Sequence, residues 1–451
     1  MRLKLLTLAL ALAATSLPSH GEDLLDAYRE ARANDPVLAQ ADATRLSTGE
    51  GVDQARALLL PQITAGETLS QTKSSGGGSQ TFQDPNNPGA VINTSGFGHT
   101  RTRDITGQLS QSVLDFSKYA NLKAAHSASN AQDQTYQAAV QDLYVRVTTA
   151  YFTVLTDEDT LTFAKANEEA FKRQYDQADQ QYKVGIAAIT GAYQAKAAYE
   201  AARAQTIAAQ NTLDNDREAL SQITGKPTGN LKKLRDDLPL DPPTPTDPDV
   251  WVKTALDSNP SLLAQRDNVE TAEHNISAAR AGHLPTISAN VTYGKTASWY
   301  QNSNFHENTP ASTTIGLTLS VPIFSGGLVQ SQVRQSIYQR DAAEDSLEST
   351  RRQIKANTLN FYRSVLAGIA QVQSGKASVQ SGQEALDATR AGYSVGTQTM
   401  TDVLLAIQTL TSSESSYSQA RHQFVVNGLL LKQAAGTADY KDVEVINALL
   451  Q

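Results

Sequence analysis

The chain has 451 residues and no cysteine. That absence excludes disulfides, thiolate metal sites, a cysteine nucleophile and the cysteine of a lipoprotein anchor. The seven histidines are scattered and form no His-x-x-x-His pair. No Walker loop, Gly-x-Ser-x-Gly elbow or dinucleotide fingerprint occurs, so no residue pattern supports an enzyme or a bound cofactor. Aromatics are only 6% of the chain, and the mean hydropathy is -0.38. Apolar residues spread this thinly suit elongated helices with narrow seams better than one large core. Lys and Arg number 38 against 46 Asp and Glu, for a net charge of -8. Nucleic acid, which needs clustered cations, is a poor partner for such a chain. Beyond the N-terminus no stretch supplies the ~20 apolar residues of a transmembrane helix.

The N-terminus itself reads as an export signal over residues 1–21. Arg2 and Lys4 precede the short apolar run Leu5 to Leu12, and Ser19 and Gly21 set small residues for a cut after Gly21. Loss of Arg2 and Lys4 takes the net charge from -8 to -10.

The remaining chain is written twice. Pro36, Ala55, Arg56, Leu60 and Pro61 recur 224 positions later as Pro260, Ala279, Arg280, Leu284 and Pro285. Leu109, Ser110 and Tyr151-Phe152 are matched 210 later by Leu319, Ser320 and Phe361-Tyr362. Asp176, Tyr182, Val184, Gly185, Thr190, Leu220 and Gly225 recur 211 later as Asp387, Tyr393, Val395, Gly396, Thr401, Leu431 and Gly436. The change of offset falls in a longer first-copy loop, the Gly, Asn and Pro-rich stretch from Ser74 to Gly98. This places a first repeat at 22–225, a Pro-rich linker at 226–249, a second repeat at 250–436 and a C-terminal segment at 437–451.

Each copy has one order of elements. A lead helix, about 22–60 and about 248–284, ends before a Leu-Pro. Two strands follow, about 62–72 and 103–114, then about 286–297 and 312–324. Ile287, Ala289, Val291 and Tyr293 alternate with Thr286, Ser288, Asn290 and Thr292. Likewise Ile315, Leu317, Leu319, Val321 and Ile323 alternate with Thr314, Gly316, Thr318 and Ser320, and Ile105, Leu109 and Val113 with Thr106, Gln108, Ser110 and Ser112. A half-buried soluble sheet and a membrane barrel both show this alternation. Long polar loops at one end favour the barrel. So do aromatics near strand ends, Phe116 and Phe324 at one and Trp299 and Tyr300 at the other. Four strands cannot close a barrel, and open edges in lipid strand backbone groups at several kcal/mol each, so a barrel requires several chains.

Long helical tracts follow, about 117–225 and 327–436, each interrupted once, at Gly185 and Gly396. A helix of ~65 residues is roughly 100 Å long. Val403, Leu410, Tyr417, Phe424 and Leu431 recur every seven residues, in register with Ala192, Tyr199, Thr206, Leu213 and Leu220. Ile186, Tyr193 and Ile207 lie on a second seven-residue seam. One seam suits a two-helix coiled coil; two suit a tube of helices.

These residues resemble the TolC family of outer-membrane efflux and type I secretion channels over nearly the whole chain after residue 21. The resemblance rests on Leu58-Leu-Leu-Pro-Gln62, Gln111-Ser-Val-Leu-Asp-Phe-Ser-Lys118, Thr149-Ala-Tyr-Phe152, Tyr182-Lys-Val-Gly185, Gly282-His-Leu-Pro285 and Ala391-Gly-Tyr-Ser-Val-Gly396, together with the duplication. It implies an α+β membrane protein, a homotrimer whose 12-stranded barrel in outer-membrane lipid continues into a periplasmic helical barrel. The resemblance further implies a mixed equatorial belt around the linker and C-terminus. It also implies docking with a periplasmic adaptor (membrane fusion) protein and an inner-membrane transporter of efflux or ABC type. Val184, Gly185 and Ile186, with Val395, Gly396 and Thr397, resemble the hairpin tips that meet the adaptor; turn geometry alone also explains their glycines. Tyr393 and Asp402 match the family's periplasmic gate, where three Asp402 carboxylates would bind cations weakly and raise at least one pKa. A solvated Asp402 with no gating role is the alternative.

Three departures remove the family's charged latch. Gln398 stands for the gating arginine, Leu405 for a second ring aspartate and Gly191 for the arginine's aspartate partner. The entrance is therefore expected to close through Leu405, Gln398 and Tyr393. Asp157-Glu158-Asp159 looks like half a metal site but is read as a solvated helix surface, and Gly76-Gly-Gly78 as an exposed hairpin loop lacking a phosphate loop's Lys. A trimeric structural or adhesive coiled coil is the competing reading. It would carry one strand block near a terminus, where this chain has two.

Overall fold

The structure is a computed structural model that describes residues 22–75, 80–84, 87–94, 97–186, 188–300 and 306–451. The expected export signal and the Gly76 to Gly78 loop lie outside the described residues. The chain divides into two compact units. A helical unit comprises residues up to Arg45, Gln132–Gln265 and Leu347–Gln451, and a sheet-bearing unit comprises Leu46–Ala131 and Arg266–Ser346.

Each lead segment is two helices rather than the single one expected. The first pair is α1 (Leu24–Asn34) and α2 (Pro36–Ala57). The residue before a proline is pushed out of the helical region, and Asp35 is extended at ψ 116°. Its carboxylate then caps the next helix by accepting from the Leu38 N–H at 2.8 Å. The second copy repeats the device: after helix Pro248–Ser258, Asn259 is extended at ψ 121° and precedes helix Pro260–Ala281. In each copy an elbow asparagine is tied to the long helices, Asn34 Nδ2 donating to Thr224 O and Asn259 Nδ2 to Ala434 O.

The long tracts are α3 (Phe116–Lys183) and α4 (Ile189–Thr224), then, after the lead helices α5 and α6 just given (Pro248–Ser258, Pro260–Ala281), α7 (Leu328–Ser394) and α8 (Met400–Ala434). A last helix, α9, spans Tyr440–Asn447. The first seven-residue seam packs inside the helical unit, with Val403, Leu410, Leu431, Leu213 and Leu220 buried. Its counterpart on α7 is a stripe of glycines. A Cβ on Gly368, Gly375 or Gly382 would lie 3.2, 3.2 or 3.5 Å from Phe424, Tyr417 or Leu410. The spacing is seven on both helices and runs in opposite senses, so large knobs of α8 face holes on α7, tight for any Cβ at Gly368 and Gly375 and roomier at Gly382. Ile186, Tyr193 and Ile207 of the second seam are at least 64% exposed on the single chain.

The linker is pinned rather than loose. Glu22 bridges Leu231 in parallel and Leu234 bridges Leu450 antiparallel. The Tyr151 hydroxyl donates to Glu22 O and Lys232 O, at 3.0 and 2.9 Å. Around it Leu24, Tyr28, Leu143, Leu155, Leu231, Leu234, Val425 and Val443 form one core, so both ends of the chain and the linker close on the same helices.

The sheet-bearing unit holds a four-stranded antiparallel sheet, with β1 (Gln62–Ser75), β4 (Phe97–Leu114), β5 (Thr286–Tyr300) and β7 (Ser312–Ser320) in that order. The short strands β2 (Gln80–Gln83) and β3 (Val91–Thr94) pair with each other inside the long first-copy loop, and β6 (His306–Asn308) pairs with β5. β7 stops at Ser320, short of the expected 324, where Pro322 can donate nothing to a ladder. The ladders put Ile63, Leu109, Val291 and Ile315 in one row across all four strands, followed by Ala289 with Leu317 and Ile287 with Leu319. Thr64, Gln108, Thr292 and Thr314 lie on the other face, with Thr106, Ser110, Asn290, Gly316 and Thr318. From Ile287 to Tyr293 this face of β5 is uncharged over about 20 Å of strand, or about 15 Å of height at a tilt of about 40°, the greater part of the ~25 Å apolar band of a membrane barrel.

Filling one glycine hole tests the knob packing. Gly375→Leu should cost about 1–3 kcal/mol through overpacking against Tyr417. Gly428→Ala, whose Cβ would meet nothing within 4 Å, should gain roughly 0.5–1 kcal/mol of helix propensity. Thermal unfolding followed by helical circular dichroism checks both, and a Gly375→Leu protein as stable as wild type would contradict the packing.

Candidate periplasmic entrance and tips

The two tight turns of the helical unit are built alike. The Gly185 N–H donates to Tyr182 O and the Ile186 N–H to Gln181 O; 211 residues on, Gly396 donates to Tyr393 O and Thr397 to Gly392 O. Both glycines sit at positive φ, 79° and 81°, the region that a Cβ makes costly. The turns present Val184, Ile186 and Val395, which are 69–77% exposed, so each tip offers apolar surface to solvent.

The expected gate residues gather only in part. The Tyr393 hydroxyl donates to Gln181 Oε1 at 3.0 Å, joining the last turns of α3 and α7. Its ring packs beside Met400, Val403 and Ile407, and burial raises the phenol above its ordinary pKa. Gln398 folds over Gly392, where a Cβ would meet its Cγ at 2.6 Å. Asp402 is the third residue of α8 and closes a capping box: Asp402 Oδ2 accepts from the Thr399 N–H at 2.8 Å and Thr399 Oγ1 accepts from the Asp402 N–H. Hydrogen bonds from the Thr399 side chain and backbone hold its carboxyl below the ordinary value. Within one chain, then, the local effect is opposite in sign to that expected of three converging carboxylates. Leu405 is 61% exposed, and no atom lies within 4 Å of where a Gly191 Cβ would be.

Sequence reasoning missed three partners here. Gln181 receives Tyr393, Thr399 pairs with Asp402, and Gln194 Oε1 accepts from Thr401 Oγ1 at 3.4 Å. The Thr399-x-x-Asp402 pattern was a visible capping signature. The two glutamines carried no signal until the helix register was known.

The run Asp157-Glu158-Asp159 is not the solvated surface expected of it. Glu158 pairs with Arg217 at 2.8 Å, and Asp159 Oδ2 accepts from Ser418 Oγ at 2.7 Å. Lys233 also approaches Asp159 at 3.5 Å. Asp157 faces another carboxyl, Asp216. Burial, then a hydrogen bond and repulsion from Asp216, push the Asp157 carboxyl up to about 7. Nearby, burial pushes His422 down to about 4, with its Nδ1 2.8 Å from Thr156 Oγ1. These residues form a polar layer among α3, α4, α8 and the linker.

The layer has a pH signature. The folded chain keeps a proton on Asp157 between about pH 4 and pH 7 that the unfolded chain has released. Its stabilising share is therefore complete below about pH 4 and lost as pH rises through about 7. His422 acts oppositely, lowering stability as pH falls from about 6.5 to about 4. Asp216→Asn weakens the first effect, since burial still raises Asp157 but the hydrogen bond and repulsion from Asp216 are gone, and leaves the second unchanged. Its unfolding temperature relative to wild type should rise between pH 5 and pH 8, and an unchanged difference would show that Asp216 does not help to hold the proton on Asp157.

Comparison with known proteins agrees with this architecture. The model of the family described as outer membrane efflux protein matches twice, at residues 27–226 and 251–437. The chain is 35% identical over 457 residues to the outer membrane protein TolC of Escherichia coli, covering 98% of the chain and 88% of TolC. It is 28% identical over 458 residues to the proteases secretion protein PrtF of Dickeya chrysanthemi, covering 99% and 95%. The crystal structure of the Campylobacter jejuni CmeC outer membrane channel superposes with a TM-score of 0.75 at 18% identity, covering 95% of this chain and 90% of that one. The duplicated matches coincide with the two helix–sheet–helix repeats and leave no place for a coiled coil with a single strand block; the chain belongs to the outer membrane efflux protein family.

Proposed function

We propose that three copies of this chain form one outer-membrane channel, a passive exit duct that docks with a periplasmic adaptor and an inner-membrane transporter. The cargo is small toxic molecules, secreted proteins or both, consistent with relatives named for efflux and for protease secretion. The observation that carries this reading is the four-stranded sheet. One of its faces is apolar from Ile287 to Tyr293, the other is small and polar, and β1 and β7 each have only one ladder partner among the described residues. Joining β1 of one copy to β7 of the next pairs both edges, and three copies give 12 strands around a wet lumen. No catalytic group is needed for a duct, since the transporter supplies energy and selects cargo.

The exposed seam through Ile186, Tyr193 and Ile207 supports lateral packing between copies, and the apolar tips support docking to the adaptor. Entrance closure rests on Leu405, Gln398 and Tyr393. Asp402 supplies one acidic ring in addition to its capping role.

Single-channel conductance in planar bilayers, with calcium on the periplasmic side, tests this. Small stable openings with weak calcium block are the expected result. Leu405→Asp should deepen the block by adding a second ring of three carboxylates. Block left unchanged by that substitution would remove Leu405 and Asp402 from the entrance, while folded protein that never conducts would end the channel reading.

A further inference from the structure

The apolar face of the sheet changes character toward its hairpin end. All four strands run to helices at the Ile63, Leu114, Ile287 and Ser320 ends, and to one another through loops at the other. Past the row of Ile63, Leu109, Val291 and Ile315, the same face carries Glu67, Ile105 and Lys295 in one row and Leu69, Arg103 and Ala297 in the next. Gln71, Arg101 and Trp299 follow, then Lys73 opposite His99. Four cations thus gather where the apolar band ends. Among the described residues of these rows Glu67 is the one acid, and it is occupied by Arg103 at 2.7 Å. Asp104 is on the opposite face, where it accepts from Thr296 Oγ1 at 2.7 Å. At the helix end of this face Ile287, Ala289, Leu317, Leu319 and Gln111 are uncharged. The cations are therefore a feature of one end and not a general border to the band.

Arg101 engages Gln71 Oε1 through Nε at 3.2 Å, and among the described residues the terminal nitrogens of its fork take no partner and can meet an anion. It lines a shallow depression of about 540 Å³ with Leu69, Ser70, Gln71, Thr102 and Trp299. Leu69 and Trp299 supply apolar and interfacial surface directly beside the guanidinium. An aliphatic chain lying under an anionic headgroup presents the matching arrangement, apolar below and phosphate above.

We propose that this rim, centred on Arg101 and Lys295, binds the phosphate groups of a phosphorylated glycolipid in the outer leaflet of the membrane. The inference rests on the channel reading, which puts this face against lipid and its hairpin end outermost. A headgroup bearing phosphates fits Arg by bidentate bonds and Lys as a point charge. The contact fixes the height of the barrel in its bilayer.

The test uses full-length protein reconstituted in phosphatidylethanolamine vesicles containing a bis-phosphorylated glycolipid, or the same glycolipid with its phosphates removed. Protein is then re-extracted in mild detergent, and the glycolipid retained per barrel is measured by mass spectrometry. Wild type should retain the phosphorylated form in preference, less so as salt is raised. The Arg101→Gln, Lys295→Gln double variant should retain about tenfold less, and Arg101→Lys with Lys295→Arg should restore most of it. Equal retention of the two glycolipids by wild type, or equal retention by the double variant, would overturn the inference and leave the channel standing. Wild-type protein that inserts nowhere and never conducts would overturn both. Strand content by circular dichroism, measured on every variant, separates lost binding from lost folding.

Discussion

A backbone amide inside a bilayer has no water to bond, so every strand edge there must find another strand. The sheet β1-β4-β5-β7 meets this constraint at its three internal ladders and fails it at its two outer edges. The duplication follows naturally from this constraint. Each copy contributes a pair of strands, and the two pairs join through β4 and β5 over 14 paired positions, from Thr100 with Tyr300 to Leu114 with Ile287. The sheet's amphipathic character then fixes orientation, because turning the strands over would put Thr106, Asn290 and Thr318 into lipid. Membership in a family of outer-membrane channels and the need for neighbouring copies are therefore two statements of one physical requirement.

The helical unit solves a different problem, that of keeping two long helices together with few large apolar residues. Glycine holes at Gly368, Gly375 and Gly382 bring α7 against α8, so Phe424, Tyr417 and Leu410 each bury much of their surface in a narrow contact. The first copy runs the same register with other residues. Ala164 lies against Thr206, whose hydroxyl donates to its carbonyl, and Phe171 belongs to the cluster around Leu386 and Val403. Position 157, which the register equates with Gly368, carries a carboxyl that faces Asp216. A repeat that began symmetric has thus placed an ionisable pair in one copy and a void-free glycine contact in the other.

Much of this was legible from residue order, and the exceptions have physical causes. The seven-residue seam from Val403 to Leu431 could be read because burial imposes a period, and the strand alternation because a pleat does. The elbow at Pro36 was missed although the proline was visible, since Leu38 and later apolar positions continue the helical pattern beyond it. The glycine stripe was equally visible, but a glycine reveals a hole only when its knob on another helix is known. Asp157 to Asp159 misled because a helix surface and a polar layer between helices have the same composition. What separates them is Asp216, Arg217 and Ser418, tens to hundreds of positions away. The cationic end of the sheet escaped because alternation directs attention to the apolar residues of a face and not to where they stop.

Asp402 caps α8 within one chain, and the proposed entrance would ask it to serve the assembly as well. Its carboxylate is committed to the Thr399 cap, which favours the charged form within each chain. Three copies on an axis would oppose that, since like charges favour protonation. The two effects do not compete for the same atoms: Oδ2 takes both cap bonds, and no hydrogen bond is recorded to Oδ1 among the described residues. An uncommitted oxygen on each of three copies is sufficient for a weak cation site, and the cap holds each side chain in position for it. With glutamine at position 398 in place of the family's arginine, no latch cation would stand there to neutralise such a ring. On the proposed reading, closure would rest on Leu405 and on the Tyr393 bond to Gln181, coupling the end of α7 to the end of α3 through an uncharged contact instead of a charge pair.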